Sequence, residues 1–205
     1  MKAVSKTRKT SEGPRLTRDD WLDASFKAVV AGGVDNVRVL AIADDLGVTR
    51  GSFYWHFADR ADLIGALLAR WRERELEQDQ RLSADSSPDP QADLERLLEA
   101  VLAHAGADLE NMRFELALRS FGRRNPALAT MLVEVDQVRM NLFEQKFLRL
   151  TGNPHTASEL ASLFYLAIVG SYQALSRPVN PPLLKDYLKR IIVHYLIEQQ
   201  VPSSQ

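Results

Sequence analysis

The run Phe53-Tyr54-Trp55-His56-Phe57 restricts what this chain can fold into more than any other stretch. Four of its five side chains are aromatic and the fifth is an imidazole, in a chain that is only 8% aromatic. Polar Thr49, Arg50 and Ser52 lead into it, so it is not the middle of a core helix. Left wholly on a surface, it would expose a large apolar patch. The segment must therefore divide its aromatics between two faces. Phe53 and Phe57 are four residues apart and share one side of a helix. They are expected to fill a core with Phe26 and Ile42, while Arg50, Ser52 and Tyr54 fall away from it.

The rest of the chain has helical periodicity, and strand-like alternation over any useful length is missing. An all-α fold is expected. Thr17 opens the first helix as the T-x-x-D capping box of "TRDD". Trp21, Leu22, Phe26, Val29 and Val30 follow at helical spacing, and Gly32-Gly33 stop it. A short second helix runs from about Arg38 to Leu46, and a third from about Arg50 to Phe57 with Thr49 as its cap. Small Ala43, then Gly47 at a turn that favours positive φ, then apolar Val48 give the second and third helices a helix-turn-helix angle. Asp59 caps a longer fourth helix with Leu63, Ile64, Leu67, Leu68 and Trp71 inward. Further helices are expected at about Gln91–Ala107, Met112–Arg123, Asn125–Leu150, Ala157–Leu175 and Pro181–Gln199. The expected division is a basic arm over 1–16, a helix-turn-helix domain over 17–62, a helical body over 63–200 and a tail over 201–205.

Charge and composition narrow the function. The net charge is −1, but Lys2, Lys6, Arg8, Lys9, Arg15 and Arg18 stand near the start against a single Glu12 before Asp19. Such an arm suits phosphates or a minor groove. No apolar run spans a bilayer, no apolar segment follows the basic start as in a secretory signal, and there is no cysteine. A cytoplasmic location without membrane contact is the expectation.

A short helix presenting Arg50, Ser52, Tyr54, Trp55 and His56 suits a DNA major groove. Arg can donate two bonds to guanine, hydroxyls reach phosphates or bases, and aromatic edges meet thymine methyls. Gly51 keeps the front of the helix slim. The stretch "AIADDLGVTRGSFYWHFADRADLI" resembles the DNA-binding domain of the TetR family of bacterial transcription regulators. The resemblance lies in the Ala-x3-Gly turn, then Gly51, Phe53, Tyr54, His56, Phe57, Arg60 and Leu63, and it covers about Thr17 to Leu68. It implies that Thr49, Arg50, Gly51, Tyr54 and Trp55 approach bases or flanking phosphates. It also implies that Ser52 and His56 support phosphate contacts and that Arg60 holds a phosphate at a helix start. The family often has Thr or Ser where this chain reads Asn36-Val37-Arg38. Arg38 is the substitute phosphate contact, and the cap is expected to shift to Asn36.

In the body, the helix before last is apolar on nearly all sides and the last has an apolar stripe, so both need burial on a second face. Phe164, Ile168, Leu188, Ile191, Ile192 and Tyr195 are the candidate homodimer interface, pairing two reading heads on an inverted repeat of double-stranded DNA. Trp71, His104, Phe114, Phe121, Met131, Tyr165 and Tyr172 are candidates to line an apolar effector pocket, although Phe114 and Phe121 also have ordinary core spacing. The function expected is a ligand-responsive repressor. An activator built on the same unit, or a helical interaction module without DNA binding, are the alternatives. No cofactor, metal site or catalytic group is expected: the four histidines are scattered, and H-E-x-x-H, Glu-x-x-His, Gly-x-Ser-x-Gly and phosphate-loop patterns are absent.

Overall fold

The computed structural model describes residues 16–107 and 109–173, with side chains described except at 102–107 and 171–173. Among these residues there are eight α-helices, a single 3-10 turn and no strand. The order is α1 (Arg18–Gly32), the turn Val34–Asn36, α2 (Val39–Asp45), α3 (Arg50–Phe53), α4 (Arg60–Ala84), α5 (Pro90–Ala107), α6 (Leu109–Gly122), α7 (Pro126–Thr151) and α8 (Pro154–Gln173).

Local chemistry explains most of the boundaries. Thr17 and Asp20 form the reciprocal capping box at the start of α1, and Gly33 ends that helix at φ 80°. The Thr17 backbone and hydroxyl hold the Asp20 carboxyl below the usual carboxylate range. The Asp59 side chain accepts from the Asp62 amide at 2.9 Å, and Asn125 does the same for Leu128 at 3.1 Å. Two expected caps differ. Asn36 closes the 3-10 turn, and its amide donates to the Ala28 carbonyl at 3.2 Å, so the N-cap of α2 is Arg38, without a side-chain bond. Thr49 sits at the N-cap of α3 but makes no side-chain cap bond.

Two cores hold the helices. The first joins Trp21, Leu22 and Val29 of α1, Ile42 and Ala43 of α2, Phe53, Phe57, and Leu63, Leu67 and Trp71 of α4. It continues without a break into Phe114 and Leu118 of α6 and Leu128, Leu132 and Val135 of α7. Phe26 packs against this core, as expected. Its ring stacks on Phe114 of α6 with centroids 4.7 Å apart, and Trp21 is edge-on to Phe53 at 5.3 Å. At Gly122 a Cβ would stand 2.9 Å from a methyl of Leu132, so α6 and α7 approach closely there. The second core lies between α5, α7 and α8 and includes Leu94, Leu97, Phe143, Phe147 and Ala161.

A buried ion cluster fastens the loop before α5 to α7. Asp93 is 1% exposed and takes the Lys146 ammonium at 2.9 Å, the Ser87 amide at 2.7 Å and the Arg149 guanidinium. Burial pushes the Asp93 carboxyl up, but these three donors outweigh it and leave it below the usual range.

Candidate DNA-reading surface and effector cavity

The reading head is built on a turn that only a few residues tolerate. Gly47 adopts φ 68° between α2 and α3, and the Val48 amide closes the corner by donating to the Ala43 carbonyl at 2.9 Å. Phe53 and Phe57 are 1% and 2% exposed and stack at 5.6 Å. They pin α3 from below. Above them Tyr54 and Trp55 are 53% and 81% exposed, which is the division expected from the sequence. The α-helix itself is a single turn that passes into a looser turn over Tyr54, Trp55 and His56.

Arg38, Thr49, Arg50 and Gly51 are exposed, and Ser52 and His56 are half-buried. Arg50 donates to the Tyr54 hydroxyl at 2.8 Å and lies over its ring, so these two side chains form one paired unit. Arg60, the expected phosphate contact, is exposed and also bonds within the chain. Its guanidinium donates to the carbonyls of Val37 at 2.6 Å and Val34 at 3.0 Å. It ties the start of α4 to the segment that leads into α2.

The effector candidates separate. Trp71 and Phe114 are 4% and 0% exposed in the first core, and Phe121 and Met131 pack against it. None of the four lines the cavity of the body. The His104 and Tyr172 side chains lie outside the described residues. Of the described candidates, Tyr165 alone lines a cavity of about 80 Å³ between α4, α5, α6, α7 and α8. Its apolar walls include Leu82, Val101, Met112, Leu142, Phe143, Ile168 and Val169.

The polar wall was not anticipated. Glu75 and Asp79 of α4, Asn111 and Glu115 of α6 and Arg139 of α7 all face the cavity. Arg139 is bonded to Glu75 and, at 3.2 Å, to Glu115. Arg119 closes the far side. It reaches Glu115 at 2.6 Å, grips Asp136 through two nitrogens at 2.7 and 3.0 Å, and meets the Tyr165 hydroxyl at 3.1 Å. The Tyr165 hydroxyl in turn donates to Asp136. Burial opposes the charge on both guanidiniums, but the surrounding carboxylates outweigh it and raise Arg119 and Arg139 above the usual arginine range. Asp136 is depressed because the bonds from Arg119 and Tyr165 outweigh its burial. Burial pushes the Asp79 carboxyl up to about 6. Arg139 pulls against this rise, and the Glu75 and Glu115 charges reinforce it. A signal for these groups existed: Glu75 and Asp79 continue the inward stripe of α4 one and two turns past Trp71.

The interface candidates also shift. Phe164 and Ile168 are 3% and 5% exposed, buried in the chain's own second core, with Phe164 edge-on to Phe143 at 4.9 Å. The outward face of α8 carries Leu163 and Leu166, 62% and 67% exposed. Leu188, Ile191, Ile192 and Tyr195 lie outside the described residues, as do the arm before Leu16 and the tail. No helix among the described residues is long and apolar enough to cross a membrane.

Residues 22–67 match the family model of the bacterial regulatory proteins of the tetR family. The chain is 38% identical over 95 residues to the uncharacterized HTH-type transcriptional regulator TtgW of Pseudomonas putida, a match over 46% of this chain and 64% of that one. It is 31% identical over 106 residues to the HTH-type transcriptional regulator TtgR of the same organism, over 52% of this chain and 50% of that one. The chain thus spans between half and two thirds of these relatives' length. In fold it is similar to a transcriptional regulator of Rhodococcus sp. RHA1 (TM-score 0.70, 18% identity, covering 91% of this chain and all of that one). It is similar too to a putative transcriptional regulator of Saccharomonospora viridis crystallised with choline (TM-score 0.70, 20% identity, 86% and 95%). Over residues 22–67 the chain thus carries a helix-turn-helix domain of the kind found in the tetR family of bacterial regulatory proteins.

Proposed function

We propose that the protein is a sequence-specific, DNA-binding transcriptional regulator that acts in the cytoplasm as a homodimer on an inverted repeat, a repressor released by a small effector. The observation that carries the reading is the division of the aromatics of α3 and the turn that follows it. Two buried phenylalanines hold the turn rigidly while Tyr54, Trp55 and Arg50 stand exposed, with no element among the described residues over them. Rigid aromatic surface costs little entropy to dock, and the paired guanidinium can reach a guanine edge or a phosphate. Arg38, Thr49, Gly51, Ser52 and His56 frame that patch. Arg60 stiffens it from behind. The exposed leucines of α8 support pairing of two copies, since a contiguous apolar helix face favours a twin.

Selection of bound duplexes from a random pool at near-physiological salt tests this, with an Arg50→Ala, Tyr54→Ala double variant alongside. An inverted repeat enriched by the native protein and lost in the variant is the expected result. Equal recovery by both proteins, or enrichment of nothing, would overturn the DNA-reading function and favour an interaction module.

A further inference from the structure

The walls of the body's cavity are short of positive charge. Three carboxyls, Glu75, Asp79 and Glu115, line it against the single guanidinium of Arg139. Arg139 is already bonded to Glu75 and Glu115. Asp79 comes only within 3.7 Å of its Nε, and the Asp79 Oδ2 is buried without a hydrogen bond. The Asp79 residue is 7% exposed, so bulk water does not solvate that oxygen. A buried carboxylate oxygen with no donor is costly.

Three kinds of occupant compare differently with this wall. An anion would face three carboxyls. A neutral apolar molecule would bring no counter-charge to the Asp79 carboxylate on the wall. A metal ion would compete with Arg139 for Glu75 and Glu115, and no metal-holding group of three or more acidic or histidine side chains occurs among the described residues. An ammonium brings both a positive charge and N–H donors. Phe143 and Tyr165 line the same cavity, where an aromatic ring can attract such a cation, and Leu142, Ile168 and Val169 would cover an apolar body attached to it.

We propose that this cavity binds a small protonated amine on an apolar body, with Asp79 as its counter-ion, and that this amine is the effector. The second clause rests on the regulatory function proposed above; the first does not. At about 80 Å³ the cavity selects a compact body, with room equal to only several waters.

Calorimetric titration of the full chain at neutral pH tests this with three probes of one shape and a size suited to the cavity: isopropylamine, propan-2-ol and isobutyrate. The amine is expected to bind about tenfold or more tighter than the alcohol, the scale of one charge-assisted hydrogen bond, and the carboxylate weakest. In Asp79→Asn the amine is expected to lose about 10- to 100-fold while the alcohol is unchanged. Thermal unfolding of the ligand-free variant should be no lower than that of the native protein, which separates lost binding from lost fold. The site is overturned if millimolar amine does not bind, if the alcohol binds equally, or if the amine binds Asp79→Asn unchanged. Operator binding with and without the amine is read separately. Amine binding that leaves DNA affinity unchanged overturns only the effector role, and absence of DNA binding in the ligand-free protein overturns the regulatory function while the calorimetry still decides the site.

Discussion

Asp79→Asn should stabilise the ligand-free protein, and by more at neutral than at acid pH. The carboxyl is raised from an ordinary 3.8 to about 6 in the fold. A raised acid favours the fold when protonated. That contribution is fully present below the unfolded value and is lost as pH rises through about 6. At about 1.36 kcal/mol for each tenfold in proton affinity, holding the ionised carboxylate in the native state costs about 3 kcal/mol above that range. At about pH 4.5 most of the native carboxyl is protonated, and the cost has fallen to about 1 kcal/mol. Asn keeps the shape of the protonated acid and does not titrate. Its advantage over Asp should therefore grow by about 2 kcal/mol between about pH 4.5 and 7.5. For a domain of this size that is a gain in Tm of roughly 4–8 °C between the two conditions. Paired thermal melts by circular dichroism, native against variant at each pH, measure it. A variant less stable at neutral pH, or an advantage that does not change with pH, would refute the claim that Asp79 is a buried carboxylate whose burial outweighs its contact with Arg139.

Four other outcomes are expected. Trp55→Ala should leave the melting temperature within about 1 °C, because the side chain is 81% exposed, and yet weaken operator binding about 10-fold or more by fluorescence anisotropy. Phe53→Ala should cost about 3–5 kcal/mol in denaturant unfolding, since it empties the space between Trp21, Phe57 and α2. Asp93→Ala should cost about 3–5 kcal/mol by leaving Lys146 buried without its carboxylate. The native pair is fully stabilising above the ordinary carboxylate pKa and is lost as pH falls through the depressed value, so the variant's deficit should shrink in strong acid. Leu163→Glu with Leu166→Glu should shift the protein toward a monomer in sedimentation while leaving its own core intact.

The parts of the fold legible in the sequence are those set by neighbours a few residues away. Thr17 with Asp20, Gly47 before Val48, Asp59 with Asp62 and Asn125 before Pro126 each satisfy backbone groups locally, so residue order alone locates them. The split of Phe53 and Phe57 from Tyr54 and Trp55 was legible for the same reason. The stacking of Phe26 on Phe114 was not, because it needs the position of α6. Arg60 suffers likewise: a basic residue at a helix start suits a phosphate equally well as two carbonyls from an earlier turn. The cavity was misjudged by residue type. Aromatics were expected to line it, yet Trp71 and Phe114 complete the first core. The charged groups that do line it look like solvated surface until three helices bring Glu75, Glu115 and Arg139 together.

The length of α4 turns the two ends of the molecule into parts of one lever. Asp79 on the cavity wall and Arg60 on the carbonyls ahead of α2 belong to the same unbroken helix. At 1.5 Å of rise per residue they stand about 28 Å apart. A rotation of about 5° pivoting near Asp79 would sweep the Arg60 end through about 2.5 Å, since displacement scales with that arm. The guanidinium is latched to Val34 and Val37, so the start of α2 would be towed along. In a paired assembly both arms would swing, and the gap between the two aromatic tips would change by up to twice that distance. A sub-ångström adjustment around one carboxylate is thus geared up to a misfit on the scale of a groove contact.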